Sequence, residues 1–240
     1  MEKQFSVKVF EEYFERKLIS HRETLKNKTS FNEPFVTVSR ETGAGGIQFG
    51  DLLVDYLNKF DTKRKNDWRI FEKNLLEQIT KEHDLPSEMA KYMPEKKISQ
   101  MQDMLEQLFS LHPSEQSLIR KGSITIFHLA LLGDVVLIGR GSNIITRKLG
   151  GGLHLRLIDS IEKKTKNIQD IFNISKSEAI KFIKNEDKER KLYIKKHFNS
   201  NIENPALYSL VINLNRFSTD EAVNLVGEEV KRMRSLNNNH

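Results

Sequence analysis

The sequence predicts an α/β fold in three layers, a parallel sheet of about five strands covered by helices on both faces. Three observations predict it. From residue 35 onward, short β-branched or apolar runs alternate with stretches of helical periodicity. The run Phe35-Val36-Thr37-Val38 passes through the glycine turn Gly43-Ala44-Gly45-Gly46 straight into one of those helical patterns. Ser175 with Glu178, and Ser218 with Glu221, are capping-box signatures that start helices in the later part of the chain.

The elements follow in order. Phe5, Val9, Phe10, Tyr13 and Phe14 mark a short amphipathic helix in a polar N-terminal extension, residues 1–33. Asn32 and Pro34 break it, and the main domain spans 34–235. Phe35 to Val38 is the first strand. Phe49, Leu52, Leu53, Tyr56, Leu57 and Phe60 then form one face of a helix that starts near Ile47. A second strand covers Trp68 to Phe71, with helical pattern through Ile79. Met101, Met104, Leu105 and Leu108 mark another helix, and a longer one runs from Ser114 towards Leu131. Val135 to Ile138, Leu153 to Ile158 and Tyr208 to Leu214 complete the strands, each bounded by Gly, Asn or Asp.

Composition narrows the class. The 240 residues, 38% hydrophobic and 30% charged, suit a folded soluble domain and contain no apolar run of membrane-spanning length. Without cysteine there is neither a disulfide nor a thiolate metal site, and with no secretory segment visible the expected compartment is the cytoplasm. A net charge of +6 fits nucleic acid or a cleft that gathers phosphates. The basic and aromatic interleaving of nucleic-acid modules is missing, so nucleic acid is not the expected partner. The lysines between Lys181 and Lys196 alternate with Glu186, Asp187 and Glu189 and read as a solvated helix face.

The glycine turn carries the chemistry. In a loop of the form G-x-x-x-x-G-K-[ST], glycines turn backbone N–H groups toward phosphates, the lysine reaches them and the hydroxyl holds magnesium. Gly43, Gly45 and Gly46 can supply the positive φ, and the following helix points its N-terminal dipole at the same place. Gly46 stands where the lysine belongs, and Ile47 and Gln48 stand where the hydroxyl belongs.

The run Val38-Ser39-Arg40-Glu41-Thr42-Gly43-Ala44-Gly45-Gly46 resembles the S-R-E-x-G-[SA]-G-G loop of the bacterial cytidylate-kinase-like family, a divergent branch of the nucleoside monophosphate kinases. Further blocks match in order: Trp68 to Leu76 with Leu85-Pro86, Ile138 to Asn143, His154 to Leu157, Asp187 to Arg190 and Tyr208 to Asn213. The resemblance implies a P-loop kinase fold with a helical lid about 175–199, ATP and Mg²⁺ as cofactors, and a nucleoside monophosphate of cytidylate type as acceptor. It assigns the donor phosphates to Ser39, Glu41, Thr42, Gly43, Ala44, Gly45, Gly46 and Ile47. Arg140, in Gly139-Arg140-Gly141, would meet the acceptor phosphate, although the family's Asp after that Arg is absent. Asp187 and Arg190 match the lid's D-x-x-R, while Ile183 stands where the family has another arginine.

Several positions keep two readings. Arg40 either replaces the loop lysine or pairs with Glu41 or another carboxylate and shapes the loop. Glu41 either holds magnesium through water or is merely exposed. Arg156 is a site residue near its strand's end or an exposed edge residue. Glu72, where the family tends to have Asp, can meet the acceptor, whereas Trp68 and Phe71 read as core rather than as a base pocket. No metal is assigned to protein side chains, since His83, His112, His128, His154 and His197 lack ligand spacing. The alternative to an active kinase is a catalytically silent nucleotide-binding module acting as sensor or partner-binding protein. Oligomeric state is not readable.

Overall fold

The computed structural model describes residues 10–17, 33–60, 68–83, 95–111 and 117–237. Helix α1 covers 10–17, and Phe10, Tyr13 and Phe14 are buried in the main core. Strand β1 is Phe35–Arg40, helix α2 Gly46–Phe60, β2 Arg69–Phe71 and α3 Lys73–Glu82. They are followed by α4 Glu95–Leu111, α5 Ser117–Leu132, β3 Val135–Ile138, α6 Ser142–Ile145 and β4 Gly152–Ile158. The chain continues through α7 Ile161–Phe172, α8 Lys176–Phe198, a 3₁₀ turn Pro205–Leu207, β5 Leu210–Asn213 and α9 Thr219–Asn237. Phe5, Val9, Leu85, Pro86 and His112 lie outside the described residues.

All five strands are parallel, in the order β2-β3-β1-β4-β5. The central strand β3 is apolar throughout, Val135-Val136-Leu137-Ile138, because both of its faces are covered. On β3, Val135 and Leu137 enter one core with α1, α3 and α5, while Val136 and Ile138 enter the other with α2 and α9. Helix α2 presents Phe49, Leu53, Val54 and Leu57 to the second core, each worth about 1.5–3 kcal/mol when fully buried. Trp68 and Phe71 are both core residues at 1% exposure. Among the described residues no helix is long and apolar enough to cross a membrane.

Polar contacts tie the two chain ends to the sheet opposite the strands' C-termini. Asp134, fully buried just before β3, is ion-paired with Lys17 of α1 and Arg234 of α9. Tyr13 donates to the Gly133 carbonyl at 2.7 Å. Helices α7 and α8 form a hairpin with a small core of its own, Ile168, Ala179 and Ile183, while Ile194 and Phe198 at the end of α8 join the first core. Helix α8 starts with both reciprocal contacts of the capping box, Ser175 N–H to Glu178 and Glu178 N–H to Ser175.

Candidate functional site

Strands β1 and β3 are neighbours, but the chain leaves them on opposite faces of the sheet, through α2 and α6. Ligands of parallel sheets bind in the crevice outside such a switch point. Here the crevice is a cleft of about 320 Å³ bordered by Ser39 and Arg40 of β1, the Gly139–Gly141 turn after β3, and Arg190 and Tyr193 of α8.

The loop from Glu41 to Gly46 follows Arg40 directly and leads into α2. Gly43 and Gly45 have φ of 83° and 72°, the left-handed region that a Cβ disfavours. Gly46 is different: it is the first residue of α2, its φ lies outside that region, and the helix begins one residue earlier than expected. Ala44 donates to the Glu41 carbonyl at 3.2 Å and Phe49 to the Gly45 carbonyl at 2.9 Å. The amides of Gly43, Gly45, Gly46 and Ile47 have no hydrogen-bond partner among the described residues. Ile47 itself is half exposed on the helix's first turn. Unsatisfied N–H groups at a helix N-terminus favour negative charge through hydrogen bonding and the helix dipole.

Arg40 lies beside Gly46 at the start of α2. It does not pair with Glu41. Glu41 takes Lys164 Nζ of α7 at 2.7 Å and the Asp159 amide at 3.4 Å, so its carboxylate is spent on anchoring the loop to α7. Asn167 of α7 adds a bond to the Gly43 carbonyl at 2.8 Å. The Arg40 guanidinium has neither a hydrogen bond nor an ion pair among the described residues, and it borders the cleft. Burial, then Arg190, push its pKa down to about 10, with Arg140 adding to the fall and Glu72 and Asp187 opposing it. It therefore stays charged at neutral pH, as a cation short of counter-charge.

The lid reaches the loop through Asp187 and Arg190. Asp187 Oδ1 accepts from the Thr42 amide at 2.8 Å, the Thr42 hydroxyl at 2.7 Å and Arg190 Nη1 at 2.7 Å. Arg190 Nη1 also donates to the Thr42 hydroxyl at 3.1 Å. Asp187 thus takes up the Thr42 amide and holds Arg190 beside the cleft. Ile183 fills the hairpin's own core, which accounts for the apolar residue at that point of the lid. Lys181, Lys184, Lys188, Lys195 and Lys196 are solvent-exposed, as the charge pattern indicated.

Arg140 occupies a turn in which Gly139, Arg140 and Gly141 all have positive φ, of 79°, 55° and 71°. For arginine this backbone costs about 1–3 kcal/mol, and such outliers cluster at functional sites. Its guanidinium is ion-paired with Glu77 of α3 and stacks over Tyr193 at 5.3 Å. Burial pushes the Tyr193 phenol up against the lowering effect of Arg140, so it remains protonated. Arg156 is not an exposed edge residue. β4 is flanked by β1 and β5, and Arg156 is 7% exposed, donating to Ser39 Oγ at 3.3 Å and lying 5.8 Å from the Tyr208 ring centre. Ser39, buried, also accepts from the Tyr208 hydroxyl at 3.3 Å. Glu72, at the start of α3, reaches the site through its field on Arg40.

Sequence reasoning missed Lys164, Asn167, Glu77, Tyr193 and Tyr208. Only Tyr208 had a local signal, an aromatic residue opening a matched block. Among the described residues no three acidic, imidazole or thiol side chains gather into a metal site. His154 is taken up by a contact with Thr37 Oγ1 at 2.9 Å, and burial lowers its pKa to about 4.

Five parallel strands in this order, with a glycine loop between β1 and α2 and a helical lid over the strands' C-termini, define a P-loop kinase-like nucleotide-binding fold. Residues 35–216 match the model of the cytidylate kinase-like family, and the chain belongs to that family. No curated protein matches it. Among solved structures, it resembles an uncharacterized protein from Eubacterium ventriosum, with TM-score 0.63, 18% identity and coverage of 84% of this chain and 99% of that one. It also aligns with a shikimate kinase from Bacteroides thetaiotaomicron at TM-score 0.45 and 12% identity, over 82% of this chain and 98% of that one.

Proposed function

We propose that this chain is an ATP-dependent phosphotransferase whose acceptor is a nucleoside monophosphate of cytidylate type. The observation that carries the reading is that the amides of Gly43, Gly45, Gly46 and Ile47, next to the Arg40 stem, and the Arg40 guanidinium at the cleft all lack a hydrogen-bond partner among the described residues. Donor phosphates would lie on the amides, with Arg40 and Arg190 neutralising charge that grows on the transferred group. Arg140 stands across the cleft, where releasing Glu77 would free its planar fork for an acceptor phosphate. Magnesium would be held mainly through the nucleotide's phosphates, the usual arrangement for this ion. Closure of α7 and α8 would exclude water, and Asp187 would keep Arg190 aimed at the loop.

The alternative, a silent nucleotide-binding module, draws on Gly46, Gln48 and Gly141, which supply neither the loop lysine, the loop hydroxyl nor the acidic residue after Arg140. A transfer panel separates the two. The protein is incubated with ATP and Mg²⁺ over CMP, dCMP, UMP, AMP and GMP, while ATP binding is measured in parallel. Transfer to CMP or dCMP above the others supports the kinase. Tight binding with no transfer to any acceptor supports the silent module, and no binding of ATP overturns both.

A further inference from the structure

Two of the three loop glycines have a backbone reason, the left-handed φ at Gly43 and Gly45. Gly46 has none. Its φ suits any residue, and glycine within a helix costs about 0.5–1 kcal/mol relative to alanine. What excludes a side chain there is Arg40. A Cβ on residue 46 would lie 2.8 Å from Arg40 Cγ and 3.3 Å from both its Cβ and Cδ. These are stem atoms held close to the β1 backbone, so they cannot swing aside as the tip of a flexible chain does. At the far end, a Cβ on Gly139 would run into the guanidinium itself. Arg40 therefore lies in a slot walled by two glycines, running from the end of β1 over the first residue of α2 to the β3 turn.

From this packing we infer that Arg40 and Gly46 form a single exchange for the loop lysine: the space of a side chain at residue 46 is taken by the Arg40 stem, and the loop's cation comes from residue 40. The inference deepens the proposed function and rests on its reading of the loop as a phosphate cradle. The Arg40 pKa, lowered first by burial and then by Arg190, agrees with it, because a buried cation crowded by like charge gains from an arriving polyanion. One consequence is counterintuitive. Restoring lysine at residue 46 in the native background removes phosphate affinity, since the new stem collides with Arg40 before its amine can reach the cleft.

The test is a double-mutant cycle of Arg40→Ala and Gly46→Lys, read by calorimetric titration with ATP and Mg²⁺ and by thermal melting. Each single substitution is expected to weaken ATP binding by at least about tenfold, the loss of one charge-assisted contact. Gly46→Lys alone also lowers Tm. The double variant recovers ATP affinity to within about threefold of the native protein, which is less than 1 kcal/mol, and recovers Tm. Additive losses in the double variant overturn the exchange, as does native affinity and Tm in Gly46→Lys. If the native protein binds no ATP, the proposed function fails, and the exchange is judged on Gly46→Ala, which adds only the Cβ. A fall in Tm confined to the background that keeps Arg40 sustains the exchange, and an equal fall in the Arg40→Ala background overturns it.

Discussion

Asp134 offers the sharpest stability prediction, through the substitution Asp134→Asn. Asp134 is fully buried, and its carboxylate is ion-paired with Lys17 at 2% exposure and Arg234 at 16%. Its φ of 55° is left-handed, a conformation asparagine tolerates about as well as aspartate, so the change isolates charge from backbone strain. Removing one partner of a buried ion pair costs about 3–5 kcal/mol. For a chain of this size each kcal/mol moves Tm by about 2–4 °C, giving an expected fall of about 6–20 °C. Trp68 is the single tryptophan and lies 5.5 Å under the Arg234 guanidinium, so its fluorescence reports this end of the sheet. Urea denaturation followed at Trp68 gives the free energy directly. A loss below about 1 kcal/mol, the range of an exposed ion pair, would refute the claim that Asp134 anchors both chain ends.

Three further outcomes follow from the same contacts. Arg140→Ala should raise the KM for the acceptor by at least about tenfold while leaving ATP affinity within about twofold, because Arg140 borders the cleft away from the loop amides; steady-state kinetics check it, and an equal loss of ATP affinity contradicts it. His154, with a folded pKa lowered to about 4 from 6.5, is neutral in the fold and stabilises it fully only above pH 6.5. That contribution, about 3 kcal/mol, is lost as pH falls from 6.5 toward 4, so the stability difference between the native protein and His154→Gln should shrink over that window in urea titrations. Ser175→Ala removes the cap of α8 and should cost about 1 kcal/mol, while the Glu178 pKa, now held below its ordinary value first by the Ser175 hydroxyl and then by its amide, should rise in an NMR titration.

The fold was legible because its signals are local. β1 read as a short β-branched run and β3 as a continuous apolar one, both buried strands, and the two Ser-x-x-Glu signatures mark true helix starts. The strand β2 and the start of β5 were read one and two residues too early, where Trp68 and Tyr208 continue the apolar run without joining the ladder. The glycine loop was legible too, but its wiring was not. Glu41 is answered by Lys164, 123 residues away, and Thr42 by Asp187, 145 residues away. A lysine inside Lys163-Lys164 looks like any solvated lysine, and nothing local shows that it faces the loop. Gly46 misled for a different reason: a glycine in a glycine turn suggests a backbone role, whereas the cause here is the side chain of Arg40.

The central claim is that nucleotide phosphates sit on the amides of Gly43, Gly45, Gly46 and Ile47. Amide NMR during titration of the native protein with ATP and Mg²⁺ tests it most directly, since an N–H that gains a phosphate acceptor moves strongly downfield. The account predicts that these four amides shift together and saturate with the calorimetric affinity, while those of Ala44 and Phe49, already bonded to Glu41 and Gly45, shift less. Saturable ATP binding that leaves the four amides unmoved would contradict it.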